Sequence, residues 1–496
     1  MEMKNFYDGK FQESKTDMFF DVHDPATGKI IAKTPYSSLD ELNAAVNSAK
    51  KAFNSWKKVP AVDRVQPLYR LKHLLERDSD KISEILVREH GKTFTEAKGD
   101  LLRGIQMCEV ACGIPSLQMG KFSASVANGI DSYSMRRPIG VFAGINPFNF
   151  PAMVPFWFWP FAVATGNTFV MKPSERVPMT QDYIFQLIQD CGFPPGVINL
   201  IGGGQEIVEG ICDHPDIAGV SFVGSTPVAK IVHDRARENR KRVQALGGAK
   251  NFLVMTDNAS IEKSVRAMVD SCYGCAGERC LAGSVLVGVG SRFEDLKGEV
   301  IRNAKKVVLG NGMDLGTSMG PVISKEALDR INLDISTAIK EGAQIVFDGR
   351  ENIPAGDGFF MGPVVLDNVK PGTLMATKEI FGPVIGLMRT NHLDEAINLI
   401  NSSTFANTCS IFSNDGMEVQ HFIESVHPSM VGVNLGVPAP MAFFSFGGSK
   451  ESFFGDVKVH GRSSIEFFTE EHTVMQRWFN RDEMQDLNPH WAKAKS

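Results

Sequence analysis

The stretch VFAGI (141–145) opens a series of short apolar segments, which continues with NTFVMKP (167–173), GVINLIGGG (196–204), IAGVSFVG (217–224) and KRVQALGG (241–248). Patterns typical of helices separate several of them, over 179–190 and 226–238 for example. The apolar segments are rich in β-branched residues and are bounded by glycine or proline, as buried strands are. Strands that alternate with helices predict a parallel sheet with helices on both faces.

A second alternating set follows and predicts a second unit of the same kind. Its strands are FLVM (252–255), SVLVGVG (284–290), QIVFDG (344–349) and PVIGLM (383–388), with helices to about residue 274 and over 292–306. The predicted fold class is therefore α/β, with two doubly wound, Rossmann-like domains that meet near residue 250. Upstream, apolar residues recur at steps of three and four over 40–55 and 62–87, which predicts amphipathic helices there.

Two further segments alternate polar and apolar residues but stand apart from both sets. They are SYSMRRP (132–138) and SIEFFTEEHTVMQRWF (464–479). Isolated strands of this kind often pair with a partner chain, because an unpaired strand edge is a template for another strand. Edge strands of a single sheet are an equally good interpretation of the pattern, so both stay open.

The composition excludes several classes of function. A chain of 496 residues is too long for one core, since cores stop growing at roughly 250–300 residues. The net charge of −5 gives no electrostatic reason to expect nucleic acid or an anionic membrane as a partner. The most apolar stretch, FPAMVPFWFWPFAVA (150–164), is shorter than a membrane span and contains prolines, so we expect a buried segment that lines the entrance to a site.

The chain termini and the cysteines bear on location. The segment MEMKNFYDGKFQES at the start of the sequence has no apolar core of the kind that a secretory signal needs. The 8 cysteines are irregularly spaced and do not make a disulfide framework. Both features predict a cytoplasmic protein.

Three segments are candidates for binding a nucleotide. GGGQEIVEG (202–210) places glycines between a strand and a helix, although without the spacing of a dinucleotide fingerprint. SFVGSTPVAK (221–230) places Ser225 where a helix begins behind a strand, and such a helix end can hold a pyrophosphate. In VMKPSE (170–175), Lys172 ends a strand and Glu175 follows it, so the pair can bind ribose hydroxyls. A carboxylate there would repel a 2′-phosphate and favour NAD over NADP, whereas the neighbouring Arg176 could accommodate one.

Among the cysteines, Cys280 is the best candidate for chemistry. Cys272 and Cys275 have a ligand-like spacing, but no second pair of ligands lies nearby, so we expect no metal. Cys280 follows a helix in a turn before the strand SVLVGVG, where a thiolate can attack a carbonyl carbon. Asn149, just after VFAGI, could donate its amide to the developing oxyanion, with the Cys280 backbone N–H as a second donor.

These pieces occur in an order that resembles the aldehyde dehydrogenase superfamily. The matching motifs are NPFNFP (146–151), VMKPSE (170–175), SFVGST (221–226), ALGG (245–248), AGERC (276–280), EIFGPV (379–384) and VGVN (431–434). The resemblance implies Cys280 as nucleophile and Asn149 as oxyanion donor. It also implies a cofactor site, with Lys172, Glu175 and Arg176 beside the adenosine ribose, Ser225 at the pyrophosphate, Glu379 at the nicotinamide ribose, Phe381 near the nicotinamide, and Asn146 and Phe148 in the same site.

The resemblance further implies a division of the chain. An NAD-binding domain would comprise 1–121 and 141–250, and a catalytic domain would comprise 251–462. A small β oligomerisation element with the C-terminal tail would comprise 122–140 and 463–496. Proteins of this superfamily form dimers or tetramers, so a homodimer or homotetramer is expected.

One departure from the superfamily changes the expected product. Hydrolytic members carry a glutamate at the start of an E-L-G-G motif, where it activates water to release the acid. This sequence has QALGG (244–248), and either Ala245 or Leu246 takes the place of the glutamate, depending on the alignment. Neither side chain can accept a proton, so attack by water should slow by about 10²–10⁴. A thiol such as coenzyme A could then take the acyl group.

The motif Q-x-x-x-GAKN with AGERC, together with LLRGIQMCEVACGIPSLQMG (101–120), is similar to the CoA-acylating methylmalonate-semialdehyde dehydrogenase branch. That resemblance implies oxidation of malonate or methylmalonate semialdehyde, with loss of the carboxyl carbon, to acetyl-CoA or propionyl-CoA. Arg103 and Arg279 are the candidates for binding the substrate carboxylate, unless Arg279 turns away into a structural salt bridge. The competing hypotheses are a hydrolytic enzyme that uses Glu278 as its base and a catalytically silent member of the superfamily.

Overall fold

The structure, a computed structural model, describes residues 1–478. Its strands, numbered along the chain, are β1 (Asn5–Tyr7), β2 (Lys10–Gln12), β3 (Phe19–His23), β4 (Ile30–Pro35), β5 (Phe122–Ala127), β6 (Ile130–Pro138), β7 (Val141–Ile145), β8 (Thr168–Lys172), β9 (Ile198–Leu200), β10 (Ile217–Val223), β11 (Arg242–Leu246), β12 (Asn251–Met255), β13 (Gly283–Val289), β14 (Gln344–Asp348), β15 (Val364–Asp367), β16 (Val384–Thr390), β17 (Phe405–Ala406), β18 (Thr408–Phe412), β19 (Met430–Val433), β20 (Ser449–Lys450), β21 (Phe453–Gly455) and β22 (Thr469–Arg477).

The α-helices, numbered in the same way, are α1 (Leu39–Trp56), α2 (Ala61–Arg64), α3 (Gln66–Arg77), α4 (Ser79–His90), α5 (Phe94–Cys112), α6 (Ile114–Leu117), α7 (Trp159–Ala164), α8 (Met179–Gln189), α9 (Gln205–Asp213), α10 (Thr226–Glu238), α11 (Ile261–Tyr273), α12 (Phe293–Ala304), α13 (Lys325–Lys340), α14 (Leu374–Thr377), α15 (Leu393–Ser402), α16 (Gly416–Ser425) and α17 (Gly461–Phe468). None of the helices in this described part of the chain is long and apolar enough to cross a membrane.

The first large sheet has the strand order β2-β1-β9-β8-β7-β10-β11-β21. Its five central strands, β9-β8-β7-β10-β11, are parallel, as the alternation of strands and helices predicted. The chain runs outward from β7 in both directions, so the crevice between the ends of β7 and β10 is the point where the strand order reverses. Ligands of open α/β sheets bind at such a point, beyond the carboxyl ends of the strands.

The second large sheet has the order β14-β15-β16-β13-β12-β18-β19 and is parallel except for β14. The predicted α/β fold class with two doubly wound sheets is therefore confirmed. The C-terminal part of the chain also returns to the first sheet, because β21 pairs with β11 in the antiparallel sense. No pattern in the local sequence indicated that return.

The two segments that stood apart in the sequence pair with each other. β6 and β22 form an antiparallel ladder from Pro138 opposite Thr469 to Ile130 opposite Arg477, and β5 adds a third strand. The strand predicted over 464–479 starts only at Thr469, because α17 occupies the residues before it. Ser464, Ile465 and Phe468 are buried on one side of that helix, at the three- and four-residue spacing of helical packing. Residues from 479 onward lie outside the described part.

The long helix predicted over 62–87 is broken into α2, α3 and α4. Pro67 lies in the first turn of α3, where its missing N–H is tolerated, and the next break lies at Asp78. The apolar stretch 150–164 contains a 3₁₀ turn at Pro155–Trp157 followed by α7, and its aromatic side chains from Phe156 onward are almost fully buried. The expectation of a buried segment rather than a membrane span agrees with this placement.

Asn167 joins the first sheet to the three-stranded sheet. Its side-chain oxygen accepts hydrogen bonds from the backbone N–H groups of Ile139 (2.7 Å) and Gly140 (3.0 Å), where the chain passes from β6 to β7. Its amide nitrogen donates to the Phe468 carbonyl at 2.7 Å, where α17 passes into β22. The side chain is fully buried, so no water can replace these bonds.

We predict that Asn167→Ala lowers the free energy of unfolding by about 3 kcal/mol, because it leaves two partly buried N–H groups without an acceptor and the Phe468 carbonyl without its donor. Urea unfolding followed by fluorescence would measure the change. The matched control is Asn54→Ala on the exposed face of α1, which should change the stability little. A midpoint for Asn167→Ala equal to that of the control would contradict the role of this side chain.

Candidate active site

Cys280 lies in a strained turn between α11 and β13. Cys275 and Ala276 adopt left-handed backbone conformations, with φ of 49° and 52°, and Gly277 follows with φ of 77°. A β-carbon on Gly277 would lie 2.2 Å from the Gly382 carbonyl oxygen, so only glycine fits there. Non-glycine residues in this region cost free energy and tend to occur where function requires a special backbone path.

Two asparagine side chains hold the backbone of Cys280. Its carbonyl oxygen accepts hydrogen bonds from Nδ2 of Asn251 at 2.9 Å and from Nδ2 of Asn407 at 3.0 Å. Asn251 begins β12 and also donates to the Ala282 carbonyl at 2.9 Å, while Asn407 lies between β17 and β18. The second sheet therefore fixes the position of the predicted nucleophile.

The Cys280 thiol faces a cavity of about 450 Å³. The walls are mainly apolar and include Met107, Phe150, Met153, Trp157, Leu281, Val437 and Phe446, with Glu96, Asp100, Arg103, Arg279 and His460 as charged or titratable members. Burial, and then the charge of Glu379, raise the pKa of Cys280 to about 12. Cys280 is also the cysteine that is partly exposed, whereas the other seven are buried.

Asn149 lies on the first-sheet side of Cys280. Its side-chain amide donates to the carbonyl of Glu278, two residues before Cys280, at 3.0 Å. Its own carbonyl accepts a hydrogen bond from Nζ of Lys92 at 2.8 Å, and Lys92 forms an ion pair with Asp100 at 2.9 Å. Both members of that pair are fully buried, so the loop that carries Asn149 is anchored to α5.

The edge of the first sheet brings together the residues predicted to bind a nucleotide. Asn146 follows β7, and both its backbone N–H (3.0 Å) and its amide (3.2 Å) donate to the carbonyl of Lys172 at the end of β8. The Asn146 side-chain oxygen is buried without a hydrogen-bond partner in the structure. Ser225 precedes α10 and is exposed, and its side chain makes no capping bond to the helix.

Lys172 and Glu175 form an ion pair of 2.7 Å at this edge. Burial would raise the pKa of Glu175, but the charge and the hydrogen bond of Lys172 outweigh it and lower the pKa overall. Arg176 contacts a different surface, with its guanidinium over the Phe20 ring at 5.3 Å and near Glu326 at 3.7 Å. The carboxylate of the pair therefore stays charged beside the predicted ribose site.

Glu379 and Phe381 come from the second half of the chain and meet the first sheet. Glu379 accepts a hydrogen bond from the Ala249 N–H at 3.0 Å, and a β-carbon on Gly248 would lie 2.4 Å from its other oxygen. Burial raises the pKa of Glu379 to about 7. Phe381 packs edge-on against Phe148 with 5.9 Å between the ring centroids.

The two candidate arginines have different partners. Arg279 pairs with Glu96 at 2.9 Å, and its Nε also lies 3.3 Å from the Cys275 sulfur. Arg103 lies on α5 and donates to the side-chain oxygen of Gln106 at 3.0 Å. Both arginines line the cavity in front of Cys280.

A general base is missing where the superfamily motif would place one. Ala245 and Leu246 are both buried apolar residues, and Leu246 packs in the same core as Leu281, which follows Cys280. Gln244 turns to the neighbouring strand, where its amide donates to Ser221 Oγ at 2.7 Å. Glu278 is fully buried, with one oxygen bonded to the Ile323 N–H and the other without a partner, and burial raises its pKa to about 8.

Several residues of the site had no usable signal in the sequence. Lys92 and Asp100 resemble ordinary helix-surface charges, and only the fold shows that they are buried beneath the Asn149 loop. Asn407 lies far from Cys280 along the chain, so no local motif connects them. Asn251 belongs to the GAKN motif, which indicated the branch but not this contact. Among residues 1–478, no group of His, Cys, Asp and Glu could hold a metal ion.

Comparison with known proteins agrees with this arrangement. The sequence profile of the aldehyde dehydrogenase family matches residues 11–474. The chain belongs to the aldehyde dehydrogenase family. Malonate-semialdehyde dehydrogenase 3 of Geobacillus kaustophilus is 44% identical to it over 477 residues, which are 96% of this chain and 99% of the relative. Malonate-semialdehyde dehydrogenase of Lacticaseibacillus casei is 41% identical over 479 residues, 97% of each chain.

Solved structures of related proteins share the fold of this aldehyde dehydrogenase. A crystal structure with NAD, described as a methylmalonate-semialdehyde dehydrogenase of Sinorhizobium meliloti, superposes with a TM-score of 0.95 at 39% identity and covers 98% of this chain and 99% of that one. The methylmalonate-semialdehyde dehydrogenase of Oceanimonas doudoroffii gives 0.95 at 38% identity, over 97% and 99% of the chains. The aldehyde dehydrogenase is therefore an oxidoreductase, as predicted.

We predict that alkylation of Cys280 by iodoacetamide in the free aldehyde dehydrogenase is slow at pH 7. Only the thiolate reacts, so the rate should rise ~10-fold per pH unit up to pH 10. Glu379→Gln removes a charge that raises the pKa of Cys280, and this variant should react faster above pH 7, where Glu379 is ionised. Labelling followed by mass spectrometry would measure both rates.

Two controls accompany that experiment. Glu206→Gln changes an exposed carboxylate on α9 and should leave the rate unchanged, and Cys280→Ser should remove the label. A rapid rate at pH 7 that does not respond to Glu379→Gln would show that the thiolate is already formed in the free protein.

We also predict that Asn149→Ala lowers kcat by about 10²–10³, because one donor to the oxyanion is lost. The affinity for NAD and the rate of Cys280 alkylation should stay within about twofold, since Lys92 holds the backbone carbonyl of residue 149 and not its side chain. Steady-state and alkylation kinetics would test this together. A fall in kcat of less than threefold would exclude the oxyanion role.

Proposed function

We propose that this aldehyde dehydrogenase oxidises malonate semialdehyde or methylmalonate semialdehyde with NAD and transfers the acyl group to coenzyme A. One observation carries the proposal. Cys280 lines a cavity beside the Asn149 amide, but the position of the water-activating glutamate is taken by the apolar residue Ala245 or Leu246. The names of the relatives, which are malonate-semialdehyde and methylmalonate-semialdehyde dehydrogenases, support the same substrate.

The residues at the switch point fit a dinucleotide. The unpaired oxygen of Asn146, the free hydroxyl of Ser225 at the N-terminus of α10 and the glycine at 248 leave polar groups and room beside Glu379. We propose that Lys172 and Glu175 bind the adenosine ribose, with Arg176 beside them, and that Glu379 binds the second ribose. Phe381 and Phe148 would pack beside the nicotinamide ring. NAD, when bound, supplies the acceptor for the hydride.

The first chemical step belongs to Cys280. Its thiol gives its proton to solvent, and the thiolate adds to the aldehyde carbon while the π electrons of the carbonyl move to oxygen, so that a tetrahedral oxyanion forms. The Asn149 amide and the Cys280 backbone N–H donate to that oxygen. Loss of a hydride from the same carbon leaves the acyl group on Cys280 as a thioester.

The second step releases the acyl group. Water needs a base to attack a thioester, and neither Ala245 nor Leu246 can serve, while Gln244 is bonded to Ser221. The thiol of coenzyme A attacks without that help, forms the new thioester bond and returns a thiol to Cys280. The bond between the carboxyl carbon and the neighbouring carbon breaks, carbon dioxide leaves, and the electron pair left on that neighbouring carbon takes up a proton from solvent. Malonate semialdehyde therefore gives acetyl-CoA, and methylmalonate semialdehyde gives propionyl-CoA.

A hydrolytic reaction is the second candidate, because Glu278 offers one carboxyl oxygen without a partner. Burial raises the pKa of this group to about 8, so it holds a proton at neutral pH. A protonated carboxyl cannot activate water, and thus the hydrolytic route would need a pH above this value.

The domain division and the assembly are proposals of the same kind. The NAD-binding domain would comprise 1–121 and 141–250, and the catalytic domain 251–462. The three-stranded sheet of β5, β6 and β22 would pair with a partner chain in a homodimer or homotetramer, since all six residues of β5 are exposed. The eight free cysteines support a reducing compartment, and we propose the cytoplasm.

We predict that NADH formation from malonate semialdehyde depends on coenzyme A after the first turnover. Without coenzyme A, the acyl group stays on Cys280 and a burst of about one NADH per active site is expected. With coenzyme A, acetyl-CoA should form in proportion to NADH. Stopped-flow absorbance and chromatography of the products would measure both. Carboxylic acid formed at the full rate without coenzyme A would contradict the proposed acyl transfer.

A further inference from the structure

Lys250 is a buried lysine whose amine has no hydrogen-bond partner. It belongs to the GAKN motif (248–251), between β11 and β12, and only 3% of the residue is exposed. Its Nζ forms no hydrogen bond within the described part of the chain. A buried amine without a partner costs free energy of folding, so packing alone does not explain a lysine at this position. None of the steps at Cys280 uses it.

The backbone around Lys250 holds the carboxylate of Glu379. The N–H of Ala249 donates to one Glu379 oxygen at 3.0 Å, and a β-carbon on Gly248 would lie 2.4 Å from the other. Glu379 is partly exposed and lines a small cavity, whereas Lys250 is closed off from solvent. A ligand can therefore reach Glu379, while Lys250 can act on that ligand only through Glu379.

The other titratable groups that face Lys250 are already compensated or neutral. Helix α13 brings Asp334, whose carboxylate pairs with a lysine at 2.7 Å and with Arg330 at 3.6 Å. Helix α11 brings Cys272, and burial raises the pKa of its thiol so far that it keeps its proton. Glu379 is the charge that acts most strongly on Lys250, and Lys250 is the charge that acts most strongly on Glu379, ahead of Arg330.

Burial affects the two groups in opposite directions. It lowers the pKa of Lys250 to about 7 and raises the pKa of Glu379 to about 7, so both change charge near neutral pH. The amine is not hydrogen-bonded to the carboxylate, and the two charges act on each other through the protein interior, where screening by water is weak. Each charge favours the other, so loss of the Lys250 charge would leave Glu379 protonated at pH 7.

We propose that Lys250 is a positioning residue that keeps Glu379 ionised, so that both carboxylate oxygens can accept hydrogen bonds from the nicotinamide ribose of NAD. The inference rests on the ribose-binding role proposed for Glu379 and deepens it, because it names the group that fixes the charge of that carboxylate. Lys250 itself does not touch the cofactor. A protonated carboxyl would offer one oxygen as a donor and lose part of its capacity as an acceptor.

The test is Lys250→Met, which keeps the length of the side chain and removes its charge. Because methionine buries no unsatisfied polar group, the variant should unfold in urea at a midpoint no lower than that of the wild type. The pKa of Glu379 should rise by about one unit. The dissociation constant for NAD should then rise about fivefold at pH 7, where fewer molecules carry the carboxylate.

The pH dependence separates this role from a structural one. Glu379 loses its proton as the pH rises through its pKa, so at pH 9 it is ionised in the wild type and in Lys250→Met alike. The two dissociation constants for NAD should therefore agree within about twofold at pH 9. Damage to the fold would weaken binding at both pH values. Isothermal titration calorimetry would measure all four constants.

A double-mutant cycle tests whether Lys250 acts through Glu379. Glu379→Gln should weaken the binding of NAD at both pH values, because the carboxylate is absent. In that background, Lys250→Met should change the dissociation constant at pH 7 by less than about twofold, since the group on which Lys250 acts has been removed. The matched control is Lys263→Met on the exposed face of α11, which should leave both constants at the wild-type value.

The outcomes distinguish the inference from the function on which it rests. If Lys250→Met binds NAD as the wild type does at pH 7, or is weakened equally at pH 7 and pH 9, Lys250 does not control the charge of Glu379. A full effect of Lys250→Met in the Glu379→Gln background would overturn the inference as well. If Glu379→Gln alone binds NAD as tightly as the wild type, the ribose-binding role proposed for Glu379 is itself wrong.

Discussion

The position of the Cys280 backbone is the constraint on which the site depends. Its carbonyl is held by Asn251 at the start of β12 and by Asn407, the residue before β18, and Gly277 lets the turn before Cys280 pass against the Gly382 carbonyl. With the carbonyl fixed, the backbone N–H and the thiol have defined directions relative to the first sheet. A nucleophile held on two rigid elements needs no reorganisation when the aldehyde arrives, which is the condition for efficient oxyanion stabilisation.

The two sheets contribute different halves of the chemistry. The first sheet places the groups proposed to bind the nucleotide beyond the ends of β7, β8 and β10, where its strand order reverses between β7 and β10. The second sheet positions the Cys280 thiol. Glu379, from the second half of the chain, accepts a hydrogen bond from the backbone N–H of Ala249 in the first half. The buried Lys92–Asp100 pair then holds the Asn149 loop between them. A buried ion pair of this kind adds little net stability, because the free-energy cost of desolvating the two charges offsets most of their attraction. Its main effect is to fix one geometry of the loop.

Much of the fold could be predicted from the sequence, because local patterns report local structure. The same reliance on local patterns limits what can be predicted about the site. Alternating apolar runs such as VFAGI (141–145) report strands directly, so the α/β class and the order of elements followed from local pattern. Cys280 and Asn149 could be proposed as site residues because each follows a recognisable strand or helix. Contacts between distant segments could not be predicted in this way. The return of β21 to the first sheet, the bond from Asn407 and the burial of His460 all depend on tertiary packing, which leaves no periodic trace.

The central claim is that the acyl group on Cys280 waits for a thiol because no base activates water. The most direct measurement is the lifetime of that acyl group, obtained by mixing the protein with malonate semialdehyde and NAD, quenching at intervals and weighing the peptide that contains Cys280. We expect an acyl adduct that persists for many turnover times, disappears within one turnover when coenzyme A is added, and does not form in Cys280→Ala. An adduct that decays at the turnover rate in water alone would contradict the account.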